Sequence, residues 1–148
     1  MALTLRVIAL CFAAIGLLAL SACAKGPLYS QSGIPPVASN KARVFLYCAE
    51  CTYITFGQKI QIDGQAAGGV AKGVFFVDLS PGAHRVFCTR CYAPANGRDY
   101  WGQYLDVDLG AGTAYYISFV TSPGGLQMTP VDATQGGQDV ANLPIIPE

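Results

Sequence analysis

The sequence predicts an all-β domain, an antiparallel two-sheet sandwich that follows a cleaved signal peptide. Three observations carry this. Short apolar runs with period two recur from residue 43 to residue 131. Turn signals built on Gly, Pro and Asp separate them. Between them no stretch keeps apolar residues at i, i+3, i+4 and i+7 for long enough to make a helix.

The elements run in order along the chain. Arg43 to Cys48 is the first strand, and Lys59 to Asp63 the second, with Ile60 and Ile62 on one face. Asp63-Gly64 is a hairpin signal because both residues tolerate positive φ. A third strand around Gln65 to Ala71 has the poorest pattern, being Gly and Ala with little alternation. Val74 to Leu79 stops at the turn Ser80-Pro81-Gly82, and His84 to Cys88 comes after it. After a long loop, Tyr104 to Leu109 points Leu105, Val107 and Leu109 inward, with Asp106 and Asp108 to water. Gly110-Ala111-Gly112 turns into Ala114 to Val120, and Ser122 to Gly125 turns into Leu126 to Val131. Seven or eight strands at this spacing are the pattern of a sandwich.

Composition bounds the rest. The 148 residues are 52% apolar and only 12% charged, with nine basic and nine acidic side chains. The apolar excess is local, since 18 of the first 22 residues are apolar, and the remainder falls to about 47%, the ordinary globular value. A chain of this length buries the core of one domain. The balanced charge offers no basic field, so no nucleic acid partner is expected.

The N-terminus reads as an address. After Arg6, fourteen residues from Val7 to Leu20 carry no charge, the length of a signal-peptide core and short of the roughly 20 a membrane span needs. Leu20-Ser21-Ala22-Cys23 resembles the bacterial lipobox, in which the Cys thiol receives a diacylglycerol. Residues 1–22 are thus expected to be removed and Cys23 to be lipidated with palmitate-type chains, which makes the membrane a partner through the anchor. Ala24 in place of the Asp that resembles an inner-membrane retention signal favours the outer membrane in a Gram-negative cell, with the domain facing the periplasm. Residues 23–40, rich in Gly, Pro and Ser, read as a flexible tether, 41–134 as the domain, and 135–148 as a tail laid against the domain or left loose.

Cys48-Ala49-Glu50-Cys51 and Cys88-Thr89-Arg90-Cys91, with thirty-six residues between them, are the one chemical motif. Cys48 and Cys88 each close a strand, and they share an end of the sandwich only if the strand near Gln65 exists. Disulfides are favoured, because an envelope compartment is oxidising. Pairing inside one motif requires a turn, since three extended residues span about 10 Å and a disulfide needs Cα atoms within about 7 Å. Neither intervening dipeptide contains Gly or Pro, so pairing between the motifs stays open. A four-thiolate zinc site is the second reading, against which stands a gap longer than usual. Redox activity is the third, and strand ends lack the helix N-terminus that activates a thiolate.

Other candidates are weaker. His84, the single histidine, fits a hydrogen bond at a strand start better than general-base work. Ser80 and Ser118 lack the spacing of a nucleophile elbow, and Asp106 and Asp108 read as solvent-facing charges. In the loop after Cys91, Tyr92, Tyr100 and Trp101 either form an aromatic surface for an envelope protein or glycan, or plug the open end of the sandwich.

The motifs Ile62-Asp63-Gly64, Gly73 to Leu79, Pro81-Gly82-Ala83-His84-Arg85-Val86 and Leu109 to Tyr116 resemble the domain-of-unknown-function 2846 family of bacterial lipoproteins and, more distantly, PEGA-type surface domains. The resemblance covers about Ala42 to Val131. It implies a transthyretin- or immunoglobulin-like sandwich with no assigned catalytic residues, and its motif residues are turn glycines and prolines that carry fold rather than chemistry. The two Cys pairs are not part of that pattern. Two function classes stand: a non-enzymatic lipid-anchored envelope protein with a small binding or structural domain and no cofactor, or a periplasmic four-Cys zinc or thiol-disulfide protein.

Overall fold

The computed structural model describes residues 26–51, 58–91, 102–122 and 125–146. Eight strands run in chain order, β1 Ala42–Cys48, β2 Lys59–Ile62, β3 Gln65–Gly69, β4 Gly73–Leu79, β5 Gly82–Cys88, β6 Gln103–Leu109, β7 Ala114–Ser122 and β8 Gly125–Val131, with one helix after them, α1 Ala133–Ala141. They form two four-stranded sheets, β4-β1-β7-β8 and β3-β2-β5-β6. The predicted two-sheet sandwich is what forms. Every paired neighbour is antiparallel except β1 and β7, whose register runs parallel from Arg43↔Ala114 to Tyr47↔Ser118. The cause is parity: six reversals separate the two strands, so once adjacent they point the same way. Because β1 and β2 lie in different sheets, the partition differs from the immunoglobulin one, in which strands A and B share a sheet.

Local chemistry sets the hairpins. Asp63 and Gly64 both take positive φ, 52° and 81°, the requirement of a two-residue primed turn whose twist matches the flanking strands. The short strand β3 pairs with β2 from Lys59↔Gly69 to Ile62↔Gln65, so the strand with the poorest pattern is real.

Alternation fills the space between the sheets. Val44, Leu46 and Cys48 of β1 face Ile60, Ile62, Val86, Val107 and Leu109 of the other sheet, with Ile117, Phe119, Leu126 and Met128 beside them, all in one buried cluster. The opposite face of β1 is buried too: its seven residues are without exception covered. Phe45 and Tyr47 point outward into a second cluster with Val74, Val140 and Leu143, flanked by Tyr29, Phe76 and Tyr116. The Phe45 ring stacks on Tyr116 at 4.9 Å between centroids and meets Tyr29 edge-on at 5.1 Å. Such aromatic area stays out of water only under a third layer.

That layer comes from both ends of the described chain. Residues 135–148 were expected as a tail, laid down or loose; through Ile146 they are laid down, and α1, which starts just before them, is capped by Asp132, which accepts from the Thr134 and Gln135 amides at 3.0 Å each. After it, Val74 donates to the Pro144 carbonyl at 2.9 Å and accepts from the Ile146 amide at 2.8 Å, which adds an extra strand-like rung along β4. Residues 26–40, the described part of the expected tether 23–40, are hydrogen-bonded to the domain as well. Ile145 donates to the Pro27 carbonyl at 3.0 Å, Tyr29 donates to Leu143 at 2.9 Å, and Arg43 reaches the Pro35 carbonyl at 2.8 Å. The physical reason is the same for both segments: the aromatic outer face of β1 and β7 must be covered, and these are the segments that cover it. The packed domain therefore extends beyond 41–134 at both ends. Residues 1–25, the expected signal peptide and Cys23 among them, lie outside the described residues.

Candidate functional site

The cysteine motifs close β1 and β5. Strand β3 supplies the reversal that the count needed, so Cys48 and Cys88 lie at the same end of the sandwich, one on each sheet. All four sulfurs sit in the inter-sheet cluster, with exposures from 0% to 7%. Each motif closes on itself. Cys48 is bonded to Cys51 and Cys88 to Cys91, with Cα atoms 5.7 Å and 5.4 Å apart, well inside the separation a disulfide allows. No bridge joins the motifs. The turn that local pairing requires is made without Gly or Pro: Arg90 itself takes φ of 59°, a left-handed conformation costing a β-carbon residue roughly 1–2 kcal/mol. Each clip ties the last residue of a strand to the start of the connection after it.

This has a chemical consequence. In the disulfide form the four sulfurs are not thiolates, and zinc binds the thiolate. Among the described residues no group of three or more His, Cys, Asp or Glu is placed to hold a metal.

The expected aromatic surface residues Tyr92, Tyr100 and Trp101 lie outside the described residues. The entry into β6 just after them is tightly specified. A β-carbon at Gly102 would fall 1.9 Å from the Phe87 ring, so the chain enters β6 where a Gly alone fits beneath Phe87, which in turn stacks on Tyr104 at 4.4 Å. Gln103 then uses its side-chain amide as a strand would: its Nε2 donates to the Met128 carbonyl at 3.0 Å and its Oε1 accepts from the Met128 amide at 2.7 Å. That pair stitches β6 to β8 and seals one flank between the sheets. The opposite flank carries an apolar cleft of about 390 Å³ lined by Ile62, Ala67, Val77 and Leu79.

His84 makes the hydrogen bonds anticipated at a strand start. Its Nδ1 lies 2.6 Å from an Asp63 carboxylate oxygen and its Nε2 2.8 Å from the Ser80 carbonyl. Both partners are acceptors, so only the imidazolium, with two N–H donors, satisfies both. The Asp63 carboxylate and then the Ser80 carbonyl accordingly raise the His84 pKa above its ordinary value. The Asp63 carboxyl is held low, first by the Arg85 amide and then by His84. Asp106 pairs with Arg85 at 2.6 and 2.9 Å, and Asp108 is exposed, as their alternation implied. Neither serine gains a nucleophile's surroundings: Ser80 is exposed and Ser118 half-buried beside Tyr47.

Sequence reasoning missed two polar anchors. Arg43, 3% exposed, forks onto both Asp78 oxygens at 2.6 and 2.8 Å and lies over the Phe76 ring at 4.4 Å. The Tyr47 phenol donates to Asp139 at 2.6 Å, whose other oxygen accepts from Gln135 at 2.6 Å; burial, then Asp139, pushes the phenol above its ordinary range. Neither acid offered a signal in the sequence: Asp78 stands opposite Arg43 only once the pairing of β1 with β4 is known, and Asp139 is ninety-two positions from Tyr47.

Comparison with family models and with curated proteins returned no match to this chain.

Proposed function

We propose that this chain is a cell-envelope lipoprotein, anchored through acyl chains on Cys23, whose β-sandwich is a non-enzymatic binding or structural module. The observation that carries the reading is the partition of the cysteines. The four within the folded domain are spent as two buried disulfides, the state that an oxidising envelope compartment supports. The other two, Cys11 and Cys23, fall in the N-terminal segment, and Cys23 stands where a lipobox requires its thiol. The resemblance of the turn motifs to the domain-of-unknown-function 2846 lipoproteins points the same way. Ala24 after the lipidated position favours the outer membrane with the domain in the periplasm, where an envelope protein or glycan is the class of partner.

The test is processing. Expressed in a Gram-negative host, the wild-type chain should lose residues 1–22, gain the mass of its acyl chains and float with membranes. Cys23→Ser should persist as unprocessed precursor. Normal cleavage of Cys23→Ser, with wild-type fractionation, would show that an ordinary signal peptidase acts here and that the anchor reading is wrong.

A further inference from the structure

The anchor precedes β1 in the chain, but the described chain does not begin beside the start of β1. Gly26 packs against the Ile145 carbonyl so closely that a β-carbon there would lie 2.4 Å from it. Ile145 bridges to Val74, which pairs with Tyr47, and the next rung is Gly73↔Cys48. The first described residue therefore sits at the cysteine end. From there the segment crosses the outer face, reaches Arg43 through Pro35, and enters β1 at the far end of the molecule.

We infer that the end of the sandwich carrying the two disulfides faces, and lies against, an anionic lipid surface. This rests on the anchor reading above. Two residues separate Cys23 from Gly26, and the three steps between them, fully extended, span at most about 11 Å. Residues 26–40 supply no further slack, because they are bonded along the domain. A seven-residue strand such as β1 is about 23 Å long, so the two ends of the sandwich stand at distinct heights above the bilayer.

Charge agrees independently. At the cysteine end the exposed charged side chains among the described residues are Lys59, Lys72 and Arg90 against Glu50, with Asp139 set back and engaged by Tyr47 and Gln135. Towards the other end lie exposed Asp108 and Asp132 with half-buried Lys41, while Arg43, His84 and Arg85 are committed to Asp78, Asp63 and Asp106. Basic groups within about 10 Å of an anionic leaflet, one Debye length, are attracted to it.

Lysine reactivity tests this on the unaltered protein. The full lipidated chain is reconstituted into phosphatidylglycerol-containing vesicles, treated briefly with a membrane-impermeant acetylating reagent, and compared by mass spectrometry with the same protein in detergent. The expected result is a several-fold loss of acetylation at Lys59 and Lys72 relative to Lys41, diminished in vesicles of phosphatidylcholine alone. Equal protection of the three lysines, or greater protection of Lys41, overturns the orientation while leaving the anchor in place. A chain with no acyl mass that fails to float with the vesicles overturns the anchor and the orientation together.

Discussion

Removing the Asp78 carboxylate should damage the domain more than removing the arginine it holds. Arg43 is 3% exposed and makes three hydrogen bonds, two to Asp78 and one to the Pro35 carbonyl, while its guanidinium lies over Phe76. In Asp78→Asn the cation stays where it is and loses its counter-charge. Breaking a buried pair in this way costs about 3–5 kcal/mol. The Asp78 side chain is 38% exposed, so water reaches that side of the guanidinium, and about 2–3 kcal/mol is the appropriate expectation after that discount. Arg43→Met leaves an orphan carboxylate instead, but one that is hydrated, and it fills the site with apolar volume; about 1 kcal/mol is expected. In urea, with a slope of about 1.5 kcal/mol per molar, Asp78→Asn should lower the midpoint by about 1.5–2 M and Arg43→Met by less than 1 M. Acidity supplies a second check. The Arg43 hydrogen bond holds the Asp78 carboxyl below its ordinary range, so this contribution is present above roughly pH 4, the unfolded value, and is lost as pH falls through the lower folded one. The gap between wild type and Asp78→Asn should therefore narrow below about pH 3. The reverse order, with Arg43→Met the worse variant, would falsify the claim that the cost lies in an uncompensated buried cation.

His84 should give the opposite pH dependence. Its pKa is raised on folding, so its contribution is complete below about pH 6.5 and fades as pH rises through the folded value, whereas that of Asp63, whose pKa is lowered, is complete above about pH 4 and fades on acidification; denaturation at pH 5 and pH 8 should show wild type losing stability across this range and His84→Asn losing less. Two adjacent helix glycines should respond with opposite signs. A β-carbon at Gly136 falls 2.3–2.7 Å from Tyr116, so Gly136→Ala should cost about 1–3 kcal/mol by lifting α1, whereas at Gly137 the nearest atom is 3.7 Å away and Ala should stabilise by up to about 1 kcal/mol; melting curves that move together would count against the packing described. For the clips, unreduced peptide mapping should return only Cys48–Cys51 and Cys88–Cys91, with no free thiol at these four positions, and replacing Cys88 and Cys91 by Ala should cost about 2 kcal/mol, the entropy of closing so short a loop. A bridge between the motifs in that map would contradict the fold as described.

What the sequence determined by itself is whatever depends on neighbours one or two residues apart. Alternation in Leu105, Val107 and Leu109 reports which face of β6 is buried, and those residues grade from half-buried to buried, with Asp106 and Asp108 exposed between them. Asp63-Gly64 reports its turn because positive φ is a property of the residues themselves. The helix α1 was less legible. Ala133-Thr-Gln-Gly-Gly-Gln-Asp-Val-Ala141 has two glycines and a single large apolar residue, so propensity argues against it. Its one local signal was Asp132 three residues before Gln135, a capping pattern. What holds it is distant: Tyr116 beneath Gly136 and Tyr47 reaching Asp139. The cysteine pairing was undecided for a related reason, since the turn inside each C-x2-C is not written in its dipeptide: Cys88–Cys91 closes with Arg90 in a left-handed backbone, while Cys48–Cys51 closes with neither Ala49 nor Glu50 at positive φ. The path of residues 26–40 was the least legible of all. Gly, Pro and Ser describe a segment with no structure of its own, and whether it floats or is strapped down depends on an aromatic face assembled from β1, β4 and β7. Periodicity tells a residue which way to point; which distant surface will meet it there is decided only when the sheets close and the area left wet must be covered.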